Sequence, residues 1–386
     1  MHIVVTVNAA WNIWNFRRKV MEGLLADGHR ITVLAPADDY VASLQAMGCE
    51  FAPLEMDRKG FNPLAELALL RRFHRALGEL QPDLVLGYTI KNNIFGALAA
   101  RARNIPFIPN VTGLGTAFLS GGAVEGVARL LYRVAFRRCP TVFFQNADDA
   151  QLFIQRGMVR GRQVVVLPGS GIDLEEFAPA PMPDPAAAPG SGPVILLIAR
   201  LLRDKGVMEF VEASPLVRAR HHGAIMRLVG HAGSDNRTSI GLAEIRALER
   251  SHGVEYAGPT DDVKSAIAEA TLVVLPSYRE GAPRTLIEAA AMARPLVATD
   301  VPGCRAVVED GRTGFLCNVR DAASLADAIC RALDLEGRDL AAMGQAGRAK
   351  MEAEYAVDLV TDAYRKAIAE AVSNEAAGAP APAGTR

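Results

Sequence analysis

The chain has 386 residues, half of them hydrophobic, and a formal net charge of −1. That length suits two α/β domains rather than one, and the near-neutral balance excludes a nucleic-acid binder that works through bulk positive charge. Five cysteines without a Cys-x-x-Cys spacing argue against a disulfide framework or a zinc site and fit a reducing cytoplasm.

Residues 3–7 read as a continuous apolar strand, the kind buried on both faces of a parallel sheet. No basic, apolar leader precedes it, and no apolar run approaches bilayer length, so the expected location is the cytoplasm or the inner face of a membrane. A helix follows with Phe16, Val20 and Leu24 on one face, ended at Asp27-Gly28. Strands are expected at 31–34, 84–86, 107–109, 141–145 and 164–167, with helices near 64–79, 93–103 and 122–138. This alternation makes a doubly wound parallel sheet. Residues 179–193 (PAPMPDPAAAPGSGP) have no periodicity and read as a linker. The alternation restarts with strands at 194–199, 225–229, 254–256, 272–275 and 296–299. The expected organisation is a Rossmann-like domain over 1–178, the linker 179–193, a second Rossmann-like domain over 194–355, a helix over 356–372 packing back on the first domain, and a disordered tail over 373–386. Two such sheets are expected to face a cleft that takes ligand at the C-terminal strand ends.

Residues 271–290, TLVVLPSYREGAPRTLIEAA, carry the most information. A strand ends at Pro276, Glu280 lies in the loop, and Glu288 lies eight residues on, in a helix starting near Pro283 or Arg284. The loop Gly281-Ala282-Pro283 sets backbone N–H groups, those of Gly281 and Ala282 among them, at that helix start, an anion site reinforced by the helix dipole. A carboxylate on the inner helix face can accept from two sugar hydroxyls. The second constellation, Arg200-Leu201-Leu202-Arg203-Asp204-Lys205-Gly206, follows the first strand of the second domain. A guanidinium and an ammonium there suit a diphosphate and can neutralise it without a metal. Singly, these residues are a dipole partner, a surface helix position and a solvated basic turn; their shared place at strand ends of one half-chain favours a site. Asp38-Asp39, Asp148-Asp149 and Asp261-Asp262 are explained as caps, so no metal is expected. In the first half, Trp11, Trp14 and Phe16 accompany the basic residues Arg17-Arg18-Lys19, Arg71, Arg72, Arg75, Arg129, Arg133, Arg137 and Arg138. These suit an anionic membrane surface, and equally the polar faces of amphipathic helices. Lys91 is either a partner for an acceptor phosphate or a solvated residue ahead of a helix.

Together these segments resemble the GT-B nucleotide-sugar glycosyltransferases, specifically the retaining family four. Glu280-Gly281-Ala282-Pro283 followed by Glu288 looks like that family's Glu-x7-Glu signature, Arg200 with Lys205-Gly206 is similar to its basic phosphate loop, and Leu167-Pro168-Gly169-Ser170-Gly171-Ile172-Asp173 matches the end of its first domain. The resemblance implies that Glu288 binds ribose hydroxyls and that Glu280 sits beside the transferred sugar. It implies that Arg200 and Lys205 stabilise the leaving diphosphate. Gly281, Ala282, Pro283, Thr285 and Leu286 would line the donor, and Thr260 would lie near its base. In place of the family's Gly-Gly pair and His-Gly stand Trp11-Asn12 and Thr112-Gly113, as in a subgroup that extends polyprenyl-diphosphate-linked glycans in bacteria. Asn12 is then expected at the donor, and Trp11, Lys91, Thr112 and Gly113 at the acceptor. The implied reaction moves a hexose or N-acetylhexosamine from a UDP-sugar, with no cofactor beyond that co-substrate and no nucleic-acid partner. Two other readings stay open: a nucleotide-sugar epimerase of similar shape, and a non-catalytic nucleotide-sugar-binding subunit.

Overall fold

The computed structural model describes residues 1–57, 62–113, 122–184, 192–234 and 236–378. The chain divides into two compact units, Met1–Ser170 with Val357–Arg386, and Gly171–Ala356. Unit 1 is built on strands β1 (His2–Thr6), β2 (Arg30–Ala35), β3 (Glu50–Pro53), β4 (Leu84–Tyr88), β5 (Phe107–Val111), β6 (Val142–Phe144) and β7 (Val164–Val166). Unit 2 is built on β8 (Val194–Ile198), β9 (Ile225–Val229), β10 (Glu255–Gly258), β11 (Leu272–Leu275), β12 (Leu296–Thr299) and β13 (Gly314–Cys317). The sheet orders are β3-β2-β1-β4-β5-β6-β7 and β10-β9-β8-β11-β12-β13, and neighbouring strands pair in parallel. Both are doubly wound Rossmann-like sheets. Their strand order reverses between β1 and β4 and between β8 and β11, where loops of opposite direction part and leave room for a ligand.

Helices cover both faces of each sheet. In β1 the alternate residues Ile3 and Val5 join one core while Val4 joins the other, the period-2 alternation of a strand buried on both sides. In unit 2, Ile195 and Leu197 pack with helix Val207–Arg220, and Leu196 and Ile198 with helix Arg284–Ala291. Helix Val357–Gly378 belongs to unit 1, where Val360, Tyr364 and Ile368 complete the core beneath helix Ala10–Ala26. Arg365 Nε donates to Asp27 Oδ2 at 2.7 Å between these two helices.

Some elements depart from expectation. The first helix buries Ile13, Arg17, Val20, Met21 and Leu24, leaving Phe16 half-buried beside that face. The helix expected over 93–103 opens as a π-turn, Asn92–Gly96, before Ala97–Ala102. The last helix runs past the expected end to Gly378, because Glu375, Ala376 and Ala377 are good helix formers. Residues 185–191 of the expected linker and 379–386 of the expected tail lie outside the described residues.

Candidate active site

In unit 2 the turn after β8 and the loop after β11 are clamped together. The Tyr278 N–H donates to the Asp204 carbonyl at 2.9 Å, and Ser277 Oγ donates to the same oxygen at 3.2 Å. Gly206, at φ +73°, packs so tightly that a Cβ there would stand 2.0 Å from the Pro276 carbonyl oxygen. On the other side a Cβ at Gly303 would stand 2.5 Å from the Glu280 carbonyl oxygen. The clamp sets the Lys205 ammonium against the Glu280 carboxylate as an ion pair, with side chains 24% and 12% exposed. An ammonium has three donors, so this pairing leaves Lys205 able to bind phosphate oxygens as well. Arg200 is exposed and makes no ion pair among the described residues. The neighbouring Arg203 is engaged by Glu244.

Pro283 is the N-cap of helix Arg284–Ala291 and makes no side-chain cap hydrogen bond of its own, which suits an anion site at a helix start. Thr285 Oγ1 donates to the Ile198 carbonyl at 3.1 Å, tying the helix to the end of β8. Leu286, expected beside the donor, is fully buried in the core, so only its backbone is available there. Glu288 is 7% exposed and paired with Arg284 one turn earlier. Burial pushes its carboxyl pKa up; Arg284 opposes the shift and Glu176 adds to it. An ionised carboxylate accepts hydroxyl hydrogen bonds and a protonated one is the poorer acceptor, so the expected ribose contact of Glu288 carries a pH dependence. UDP affinity should therefore fall as the pH drops through the Glu288 titration, starting at a higher pH than for an ordinary glutamate. Isothermal titration of UDP against pH measures this, and a Glu288→Gln protein should lack that component of the profile.

Thr260 follows β10, is exposed, and accepts from the Asp262 N–H at 3.0 Å. Asp262 caps its own helix through the Ser265 N–H, and Asp38 accepts from the Trp11 and Tyr40 N–H groups. Among the described residues no group of three or more His, Cys, Asp or Glu is placed to hold a metal.

In unit 1, Trp11 and Asn12 follow β1, Lys91 follows β4, and Thr112-Gly113 follow β5. These three strands are adjacent and parallel, so the residues share one sheet edge. Trp11 is 43% exposed and rests edge-on against Phe16. Asn12 Oδ1 accepts from Arg17 Nη1 at 3.1 Å. Arg17 was expected on the basic surface; it is 5% exposed, with its guanidinium 4.2 Å above the Tyr88 ring. Lys91 is paired and only partly exposed: its Nζ lies 2.5 Å from Oε1 of buried Glu66, and its side chain is 20% exposed. Thr112 and Gly113 are half-buried, and the residues that follow, 114–121, lie outside the described residues.

Sequence reasoning missed Arg284, although its i,i+4 spacing from Glu288 is a readable signal. It also missed Tyr278, whose hydroxyl donates to Glu209 at 2.6 Å across 69 residues and whose pKa is raised to about 12 by burial and then by Glu209.

Residues 13–169 match the family described as glycosyl transferase 4-like domain, and residues 192–335 match glycosyl transferases group 1. The chain is 26% identical over 386 residues, 97% of its length and 100% of the relative's, to the N,N'-diacetylbacillosaminyl-diphospho-undecaprenol alpha-1,3-N-acetylgalactosaminyltransferase of Campylobacter jejuni. It is 24% identical over 286 residues, covering 70% of this chain and 71% of the relative, to the UDP-Gal:alpha-D-GlcNAc-diphosphoundecaprenol alpha-1,3-galactosyltransferase of Escherichia coli. Among solved structures, sucrose-phosphate synthase from Thermosynechococcus elongatus superposes with a TM-score of 0.78 at 19% identity, covering 96% of this chain and 99% of that one. Anabaena HepE, solved with UDP and glucose, gives 0.75 at 19% identity over the same shares. With both family domains matched in order on two Rossmann-like units, the chain belongs to the GT-B glycosyltransferases of family four.

Proposed function

We propose that the protein transfers a hexose or N-acetylhexosamine from a UDP-sugar to a polyprenyl-diphosphate-linked saccharide, with retention of configuration and without a metal ion. The observation that carries this reading is the end-to-end relation to the Campylobacter enzyme, whose name specifies a diphospho-undecaprenol-linked acceptor. The Escherichia coli relative's name adds a UDP-sugar donor and the same lipid class. Arg200, Lys205 and the start of helix Arg284–Ala291 take the diphosphate and stabilise it as it leaves. Glu288 takes the ribose hydroxyls, and Glu280 stabilises the developing positive charge on the transferred sugar. The leaving oxygen and the incoming hydroxyl then share one face of the ring. No observation favours the epimerase or the binding-only reading.

The same reading puts the protein at a membrane surface. No helix among the described residues is long and apolar enough to cross a membrane. Helix Gly122–Phe136 instead exposes Val127, Leu130 and Val134 along one side, accompanied by Arg129, Arg133, Arg137 and Arg138. Apolar insertion with flanking cations suits an anionic leaflet. The test is a donor-by-acceptor screen read by mass spectrometry, with the lipid-linked acceptor in vesicles with and without anionic lipid. Transfer from a UDP-sugar, with the α-linkage retained and faster on anionic vesicles, is the expected result. UDP-sugar epimerisation without acceptor, or binding without transfer to any acceptor, would overturn the proposal.

A further inference from the structure

A second site lies in unit 1. Helix Pro63–Leu80, the residues after β3 and the turn after β4 enclose a cavity of about 300 Å³ lined by Glu55, Asp57, Glu66, Arg72 and Lys91, within the size range of small-molecule sites. Glu66 is 4% exposed, and its Oε2 has no hydrogen-bond donor among the described residues. Lys91 Nζ lies 2.5 Å from Oε1 as its counter-charge. A buried carboxylate with unused acceptor capacity is costly and calls for donors.

The turn that carries Lys91 is held under strain. Thr89 stands at φ +67°, a left-handed conformation that costs a β-branched residue roughly 1–3 kcal/mol and persists only where the surroundings impose it. Here they do. Asn92, fully buried, accepts from Thr6 Oγ1 at 2.7 Å and donates to Thr89 Oγ1 at 2.8 Å. Its amide also reaches Met56 Sδ at 3.6 Å, joining the turn to the cavity's other wall. The π-turn Asn92–Gly96 follows directly, a distortion concentrated at functional positions.

We infer that this cavity holds a sugar ring of the acceptor, with Glu66 and Lys91 taking its hydroxyls, and that it does not hold the acceptor's diphosphate. The inference rests on the lipid-linked acceptor proposed above and names which part of it unit 1 grips. The charge balance decides between the two parts. Among the described residues that line it, three carboxylates stand against two cations, a balance that disfavours a phosphate, which is anionic and only accepts hydrogen bonds. A sugar hydroxyl both donates and accepts, so it satisfies Glu66 and Lys91 together.

The experiment compares one saccharide carried on polyprenyl diphosphate with the same saccharide on a neutral alkyl chain. Lys91→Met and Glu66→Gln should raise the acceptor KM on both carriers by about tenfold or more, the worth of one hydrogen bond to a charged group, with kcat and UDP affinity held. Arg72→Ala, at the exposed rim where it cannot disturb the core, should raise KM on both carriers by a smaller factor, so the inference stays testable if either buried variant fails to fold. A KM increase confined to the diphosphate carrier would make the cavity a phosphate site and overturn the inference, as would an unchanged KM on both. A wild-type protein that uses neither carrier overturns the lipid-linked reading itself, a result distinct from either.

Discussion

Replacing Lys205 with methionine is expected to lower turnover by about 10²- to 10³-fold, with a smaller loss of UDP affinity. The ammonium is held by the Glu280 carboxylate, and the clamp between Asp204, Tyr278 and Pro276 fixes both. A donor fixed before the reaction stabilises charge that appears only as the diphosphate leaves, so its loss falls mainly on kcat. Methionine keeps the length of the side chain and removes the charge. It also leaves Glu280, 12% exposed, without its counter-ion, so the two residues should behave as one unit. Glu280→Gln alone should lower turnover by about 10²-fold, and the double variant should be little worse than Lys205→Met. Steady-state kinetics of the three proteins, with UDP titrations as a control for folding of unit 2, measure this. Losses that multiply in the double variant would mean that the pair does not act as a unit. Arg200, exposed and without an ion pair among the described residues, should behave differently: Arg200→Ala should raise the donor KM more than it lowers kcat.

The fold was legible where strands are buried on both faces, because there the apolar run is continuous. Two strands escaped, β3 (Glu50–Pro53) and β13 (Gly314–Cys317), and both are sheet edges. The edge strand β3 hydrogen-bonds on one side only, so it tolerates Pro53 and needs less apolar sequence, while β13 is only four residues long and opens on Gly314, where a Cβ would stand 2.2 Å from the Leu296 carbonyl oxygen. In the site, Glu280, Glu288, Arg200 and Lys205 were legible because each sits on a short local motif after a strand. What was not legible is which charges meet. Lys205 and Glu280 are 75 residues apart. Nothing local says that the basic triplet Arg17-Arg18-Lys19 turns Arg17 inward, although Arg17 falls four residues after Ile13 and three before Val20 on the buried face. Reading that helix by its period rather than by its charges would have buried it.

Gly206→Ala should do more harm than its one added methyl group suggests. Two costs coincide at this position. The left-handed backbone at φ +73° disfavours any L-residue by roughly 1–2 kcal/mol. The new Cβ would also stand 2.0 Å from the Pro276 carbonyl oxygen and 2.6 Å from its carbon. These are backbone atoms at the end of β11, so no side chain can rotate to relieve the clash, and overpacking of this kind adds about 1–3 kcal/mol. Relief requires the turn after β8 to move off the loop after β11, which are the two segments that hold Lys205 against Glu280. Gly206 also stands at the N-cap of helix Val207–Arg220, so the helix start shifts with it. The expected outcome is a stability loss of about 2–5 kcal/mol by denaturant unfolding, together with a fall in turnover. Gly311→Ala separates the two costs. Gly311 has nearly the same φ, +75°, and nothing within 4 Å of an added Cβ, so it should lose only the conformational part, roughly 1–2 kcal/mol, and keep its turnover. Equal losses in the two proteins would show that the contact with Pro276 does not hold the loops together.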